Sequence, residues 1–210
     1  MLQTLLTGFV VSGGLIIAIG AQNAFVLKQG LLKQHVFWVC LTCFLCDFSL
    51  IGLGVLGLGG IMERYPTLQL LLAVFGAVFL TLYGIRSFIS SYKGGQALSE
   101  DDRPAPHSLQ KTLAFTLAIT LLNPHVYLDT LVLIGISASP LTLEQKYLFL
   151  IGAWSASALW FFGLGYGARL LIPYFKKPIT WQLLDAGIGL VMWGIAVGLF
   201  RYAYQLFGQL

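Results

Sequence analysis

Six long apolar stretches constrain the fold of this chain more than any other feature. A helix needs about 20 apolar residues to cross the hydrocarbon core of a bilayer, and each stretch is long enough. None of them alternates between apolar and polar residues as a barrel strand does, so we expect helices. Hydrophobic residues make up 58% of the chain and charged residues only 10%, which predicts an all-α integral membrane protein. The six predicted transmembrane helices cover approximately 2–27, 36–60, 68–90, 112–138, 147–172 and 183–207.

The longest polar loop divides these six helices into two groups of three. It covers residues 92–110 and carries a Gly-Gly pair, two prolines and an acidic run, a composition typical of a flexible linker. The predicted halves are residues 1–91 and 111–210. Because each half has an odd number of spans, the halves enter the membrane from opposite sides, which predicts two inverted three-helix repeats.

The distribution of Lys and Arg predicts the orientation in the membrane. Loops 1, 3 and 5 with their flanks carry nine of these residues, whereas the opposite side carries three. Cytoplasmic loops carry the excess of basic residues, so we expect these loops, including the linker, in the cytoplasm and both termini outside. The net charge of +4 therefore reflects topology, and no binding to nucleic acid is expected.

Two of the apolar stretches carry the same interruption, a hundred positions apart. An Ala-Ile pair precedes Asn23 in the first stretch and Asn123 in the fourth. Asn is a favoured helix N-cap and Pro is favoured at the first helical position, so the fourth span is expected to stop near Leu121 and restart at Pro124. Gln22-Asn23 is the predicted counterpart in the first span. Discontinuous helices in corresponding spans of two halves indicate the substrate site of a transporter.

Two aspartates lie deep within the predicted spans. Asp47 lies eleven residues into the second stretch, and Asp129 lies eighteen residues after Lys111. A carboxylate at the centre of a transmembrane helix costs ~2.5 to 3.5 kcal/mol, so it normally faces a partner or a watery cavity. His125 lies four residues before Asp129 and shares its helix face. Tyr127 is expected to pack, with a cation-π wall of the cavity as the alternative.

The charged residues near the span ends and the three cysteines are expected to have structural roles. Charged residues near span ends are expected to extend toward the interface; these are Asp185, Arg86, Arg169 and Arg201. The three cysteines recur at every third position of one apolar helix, where they are expected to pack as small apolar residues and to hold no metal; they are Cys40, Cys43 and Cys46.

Three of these motifs resemble the LysE family of bacterial basic amino acid exporters, nearest to its arginine and lysine branch. They are Gly20-Ala21-Gln22-Asn23-Ala24, Cys46-Asp47 and Leu122-Asn123-Pro124-His125-Val126-Tyr127-Leu128-Asp129. The resemblance implies export of L-arginine or L-lysine across the inner membrane, driven by the membrane potential or a proton gradient. It also implies that Asp47 and Asp129 are the important carboxylates and that Asn123-Pro124 shapes the site. An exporter of this kind is not an enzyme and needs no cofactor.

The charges of the substrate agree with that branch. Arginine and lysine each carry two cationic groups and one carboxylate, which two buried aspartates and one helix N-terminus would complement. Either Asp47 or Asp129 is expected to bind the side-chain cation and the other the α-ammonium. The carboxylate is expected at the backbone amides near Pro124, and an emptied aspartate is expected to take up the coupling proton.

Three alternatives stay open at this point. A divalent metal exporter would use His125, Asp129 and Asp47 as ligands. A membrane thiol-disulfide carrier would need reactive cysteines in both halves, whereas all three lie in the second span. An exporter of neutral amino acids such as homoserine or threonine would come from a sister branch of the same family. The sequence also leaves open whether the chain forms a homo-oligomer.

Overall fold

All regular structure described for this chain is helical, which confirms the all-α prediction. The computed structural model describes residues 1–17, 20–58, 66–93 and 108–208, so Ala18, Ile19 and most of the predicted linker lie outside the described residues. The α-helices are α1 (Leu2–Ile16), α2 (Ala21–Leu32), α3 (Val36–Leu53), α4 (Pro66–Tyr92), α5 (Leu109–Leu121), α6 (Pro124–Tyr127), α7 (Ile134–Ala138), α8 (Leu143–Gly167) and α9 (Pro178–Phe207). Wider π-helical turns follow α3 (Gly54–Leu58) and join α6 to α7 (Leu128–Leu133), and a 3-10 segment (Ala168–Lys176) joins α8 to α9.

Several of these helices can cross a membrane. Four described helical segments are long and apolar enough, and α1 with α2 adds a fifth when the bent pair is taken as one span. Helix α5 and the segment 129–138 are apolar, but each is shorter than a spanning helix. A sixth span and the inverted repeat therefore stay predictions.

The first predicted discontinuity is present, but it lies a few residues earlier than expected. Helix α1 ends at Ile16, α2 begins at Ala21, and their axes differ by 84°. Gly20 has an extended backbone, so the chain turns before Gln22 and Asn23, and these two residues occupy the first turn of α2. Helix α2 then continues to Leu32, five residues beyond the predicted end of the first stretch.

The second discontinuity lies where the sequence predicts it. Helix α5 ends at Leu121, and the chain resumes helical structure at Pro124. Proline supplies no backbone N–H and is disfavoured inside a helix, but its fixed φ suits a first helical position. After Tyr127 the helix widens into the π-helical turn that carries Asp129, and α7 then completes a run of helical structure over 124–138.

Close backbone packing fixes this restarted run against α3. Helices in a membrane associate through close packing at small residues, because lipid is as apolar as the helix surface. A Cβ at Gly54 would lie 2.6 Å from the carbonyl oxygen of Thr130, and one at Gly135 would lie 2.7 Å from the carbonyl oxygen of Gly54. Only glycine permits this approach. It holds Asp129 against the helix that carries Asp47 about two turns before Gly54.

The long helices form the frame around this contact. Helix α4 packs along α9, and α8 packs against both α1 and α3. The largest buried core includes side chains from α2, α3, α8 and α9, among them Phe25, Phe161 and Met192. The restarted helix α2 therefore begins inside the protein, beside the core.

Candidate substrate site

The two helix breaks line a common cavity of about 200 Å³. Its walls come from the end of α1, the start of α2, α3, the run 123–134, α8 and α9. The structure thus brings together five of the eight residues predicted for the site, and it adds Thr130. The polar lining residues are Gln22, Asn23, Asp47, Asn123, Asp129 and Thr130.

Asp47 is the most buried acid of the cavity. The residue is 3% exposed, and the Ser157 hydroxyl of α8 donates a 2.8 Å hydrogen bond to its Oδ2. Within the ranges that the structure describes, no Lys or Arg side chain lies within 4.0 Å of this carboxylate. Stripping a carboxylate of water is costly unless a partner compensates. Asp47 is therefore a buried acid that needs either a cation from a bound solute or a proton that neutralises it.

The role of Ser157 as the partner of Asp47 could not be predicted from the sequence, because no local motif marks this serine. It lies among small residues on α8, and its partner is 110 positions away. Only the packing of α8 against α3 makes its role visible.

Asp129 lines the same cavity, although it belongs to the second half of the sequence. It is half-buried and occupies the π-helical turn between α6 and α7. The close contact of Gly54 with Thr130 positions this turn. Asp47 and Asp129, 82 positions apart in the sequence, thus line one cavity.

The side chain of Asn23 links the two helices of the first break by a hydrogen bond. Its Nδ2 donates a 2.8 Å hydrogen bond to the carbonyl oxygen of Ile16, the last residue of α1. Its Oδ1 accepts a 3.1 Å hydrogen bond from Nε1 of Trp160 on α8. A carbonyl at a helix end inside the membrane needs such a donor, because no lipid atom can supply one. Asn23 therefore contributes to the shape of the cavity through the backbone of the break.

Gln22 offers the cavity a donor. Its Nε2 is buried and makes no hydrogen bond to another described residue. Among the described residues, no side chain caps the N-terminus of α2, where Gln22 lies. The first residues of α2 line the cavity, so the positive end of the helix dipole lies beside it and would stabilise an anionic group.

The remaining predicted site residues differ in their placement. Tyr127 does not line the cavity, and its hydroxyl donates a 2.8 Å hydrogen bond to the carbonyl oxygen of Leu121, the last residue of α5. The cation-π alternative for Tyr127 therefore lacks support in this arrangement. The side chains of Pro124 and His125 lie outside what the structure describes, so their predicted roles stay predictions.

Asp185 differs from its predicted placement near a span end. Helix α9 begins at Pro178, so Asp185 lies two turns inside the helix and is only 3% exposed. Lys28 of α2 forms an ion pair with it, and the Ser90 hydroxyl of α4 donates a 2.6 Å hydrogen bond to it. This acid is buried and ties three helices together, rather than extending away from the protein.

Two of the three cysteines occupy packed core positions, whereas Cys46 is partly exposed. Cys40 and Cys43 are buried in the core and carry free thiols, and Cys40 Sγ donates a 3.1 Å hydrogen bond to the carbonyl oxygen of Phe161. In the described part of the chain, no three His, Cys, Asp or Glu side chains come close enough to hold a metal ion.

Known proteins are similar to this chain over most of its length. The LysE type translocator family matches residues 14–203. The chain is 42% identical to a putative amino-acid transporter, YggA, of Aeromonas salmonicida over 95% of this chain and 96% of the relative. It is 37% identical to the arginine exporter protein ArgO of Serratia proteamaculans, covering 95% and 97% of the two chains. A putative amino-acid transporter of Mycobacterium bovis, Mb0498, is 38% identical over 86% of this chain and 89% of its own. No solved structure matches the chain.

Several membrane-crossing helices around an acidic cavity, together with relatives that are named as transporters, define a multi-pass membrane transporter. The chain belongs to the LysE family. This confirms the resemblance seen in the sequence motifs.

Proposed function

We propose that this protein exports basic amino acids, L-arginine or L-lysine, from the cytoplasm through the cavity between the two helix breaks. One observation carries the proposal: Asp47 and Asp129 line the same cavity, and Asp47 is buried with no Lys or Arg within 4.0 Å in the described residues. A solute with two cationic groups can place one of them beside Asp47 and the other beside Asp129. The name of the ArgO relative, an arginine exporter, supports the same substrate.

The substrate carboxylate belongs, in this proposal, at the start of α2. Gln22 Nε2 is a buried donor with no oxygen or nitrogen acceptor among the described residues, and none of those residues caps the N-terminus of α2 with its side chain. The restart at Pro124, which sequence reasoning favoured, offers one donor fewer because proline has no N–H. An amino acid bound with its carboxylate at Gln22 would direct its ammonium and its side-chain cation toward Asp47 and Asp129.

The size of the cavity suits this substrate. A volume of about 200 Å³ is below the ~300 to 1,000 Å³ typical of sites for drug-sized ligands. A single amino acid therefore fits better than a peptide or a larger metabolite.

Export of a cation requires energy coupling. Moving one positive charge outward against an inside-negative potential costs about 2.3 kcal/mol per 100 mV. We propose that Asp47, once the substrate has left, takes up a proton and returns with it, so that arginine and protons exchange. The buried position of Asp47 supports this role, because a neutral acid is far cheaper to carry through the membrane interior than a charged one.

The proposed architecture for alternating access is the six-span inverted repeat. Residues 1–91 and 111–210 would form the two halves, with the linker 92–110 and loops 1 and 5 in the cytoplasm and both termini outside the inner membrane. The two breaks support this arrangement, since each half places one broken span at the common cavity.

Counterflow of labelled arginine in proteoliposomes tests the substrate and both acids. We expect lysine to compete, whereas threonine and manganese ions should not. D47N and D129N should each reduce the initial rate by about a hundredfold, in line with the ~3 kcal/mol or more of a lost buried charge pair. Glu144→Gln is the matched control, because it removes an exposed carboxylate in the first turn of α8. Normal arginine counterflow by both aspartate variants, or competition by threonine alone, would overturn the proposal.

A further inference from the structure

A second polar cavity lies at the ends of three helices, apart from the substrate cavity. Its volume is about 250 Å³, and it shares no lining residue with the substrate cavity. It lies between the last turns of α2, the last turns of α4 and the first turns of α5. Its polar lining residues are Lys28, Gln29, Tyr83, Arg86, Lys111 and Thr112.

The charge of this pocket is strongly positive. Lys28 already pairs with Asp185, so its charge is balanced. Arg86 and Lys111 are exposed at the rim, and within the described ranges neither has a carboxylate within 4.0 Å. Two cations from different helices therefore face the same pocket without a counterion from the described chain.

A buried side chain inside the pocket adds a second, independent feature. Gln29 is 6% exposed, and its Oε1 is buried with no hydrogen-bond donor from the described residues. A buried acceptor without a partner destabilises the protein, because it has lost its hydrogen bonds to water. A ligand that brings a hydroxyl group would satisfy it.

The inner wall of the pocket is aromatic. Phe115 packs against Phe25 with ring centroids 4.8 Å apart and against Tyr83 at 4.9 Å. With Leu32, these rings give the pocket an apolar side next to its cationic rim. A ligand that is anionic at one end and apolar at the other matches both surfaces.

We propose that this pocket binds the headgroup of an acidic phospholipid whose phosphodiester carries a hydroxyl-bearing substituent, as in phosphatidylglycerol. The phosphate accepts hydrogen bonds from Arg86 and Lys111, and a headgroup hydroxyl donates to Gln29 Oε1. Basic pockets between transmembrane helices on the cytoplasmic side are suited to acidic headgroups, and the Lys and Arg distribution assigns this side to the cytoplasm. The inference requires only that the protein lies in a membrane, and it is independent of what the protein transports.

Scattered basic residues at a membrane surface would attract acidic lipids without selecting among them. The pocket differs because its two cations share it with a buried acceptor, which would distinguish one acidic headgroup from another. A free phosphate ion shares the anionic chemistry but leaves the apolar wall uncovered, so we favour the lipid.

Lipid adducts of the purified protein, counted by native mass spectrometry, test the site. We expect one retained phosphatidylglycerol molecule in preference to phosphatidylethanolamine. The double variant R86Q/K111Q should weaken its affinity by on the order of tenfold, since each basic residue near the surface contributes to headgroup binding. The control Arg169→Gln removes an exposed cation of the same predicted membrane side that stacks on Tyr166 and does not line the pocket, so it should leave the affinity unchanged.

A second comparison isolates Gln29. Phosphatidylmethanol has the same charge as phosphatidylglycerol but no headgroup hydroxyl, so the wild-type protein should bind phosphatidylglycerol several-fold more tightly. Gln29→Met should remove that preference while the protein still binds both lipids. Three results would overturn the proposal: equal retention of phosphatidylethanolamine, an equal loss in R169Q, or displacement of the lipid by millimolar inorganic phosphate, which would indicate a free-phosphate site. If R86Q/K111Q fails to insert, the Gln29→Met comparison decides alone.

Discussion

The two helix breaks solve one physical problem with different side chains. In each, the last carbonyl of the first helix accepts a 2.8 Å hydrogen bond from a side chain of the second: Asn23 bonds Ile16, and Tyr127 bonds Leu121. The geometry differs, because the first break turns the chain by 84° and the second spans only two residues before Pro124. The shared requirement is a donor for an exposed carbonyl inside the membrane. Residues at different positions therefore supply this donor in the two breaks, although both breaks carry an asparagine.

Asn123 illustrates this point. It lines the cavity at the restart of the second break, while Tyr127, four residues later, bonds the end of α5. In the first break the asparagine itself makes the corresponding bond. Asn23 therefore makes the bond to the helix end in the first break, whereas Tyr127 makes it in the second.

Asn23→Ala should have the largest effect on either break. It removes the donor for Ile16 and the acceptor for Trp160, leaving two polar groups unpaired at a cost of about 2 to 4 kcal/mol in total. The buried thiols of Cys40 and Cys43 report unfolding when a fluorogenic maleimide is added during heating. We expect a clear drop in the temperature of thiol exposure and a loss of arginine counterflow. An unchanged temperature with full transport would show that the first break does not depend on this bond.

Local chemistry accounts for what could be predicted from the sequence. Proline is disfavoured in a helix interior and asparagine favours helix starts, and a carboxylate in an apolar stretch needs a partner or a cavity. The sequence therefore predicts the two breaks and the two acids. The hydrogen-bond and ion-pair partners of these residues could not be predicted, because they come from distant parts of the chain. Ser157 lies 110 positions from Asp47, Trp160 lies 137 from Asn23, and the Lys28 to Asp185 pair spans 157. Only the helix packing reveals these pairs.

The earlier position of the first break has a similar origin. The sequence pattern predicts a break at Gln22 and Asn23, because asparagine is disfavoured in a helix interior. In the structure the extended backbone belongs to Gly20, and Asn23 stabilises the break from within the next helix. A side chain that bonds back across seven residues moves the break away from its own position.

Gly76→Ala tests the second break from outside and should have an intermediate effect. A Cβ at Gly76 of α4 would lie 2.0 Å from the carbonyl oxygen of Leu122, which lies within the break, so either α4 or the break must shift. Overpacking of this kind costs about 1 to 3 kcal/mol. We expect a lower temperature of thiol exposure and slower transport.

Gly187→Ala is the matched control for that change. Gly187 lies within α9, and a Cβ there would meet nothing within 4 Å. Alanine is the better helix former by roughly 0.5 to 1 kcal/mol, so this variant should be as stable as the wild type or slightly more stable. Equal behaviour of the two glycine variants would mean that the second break tolerates displacement.

Tyr127→Phe should have the smallest effect, and it measures the second break alone. It removes one hydroxyl and leaves the carbonyl of Leu121 without that donor, at a cost of about 1 kcal/mol. We expect a small drop in the temperature of thiol exposure, with Tyr204→Phe as the control because Tyr204 is 81% exposed. Because the ring of Tyr127 does not line the cavity, arginine affinity should stay near the wild-type value. If Y127F instead weakened arginine binding with no change in stability, Tyr127 would be a substrate contact, and the proposed equivalence of the two breaks would be lost.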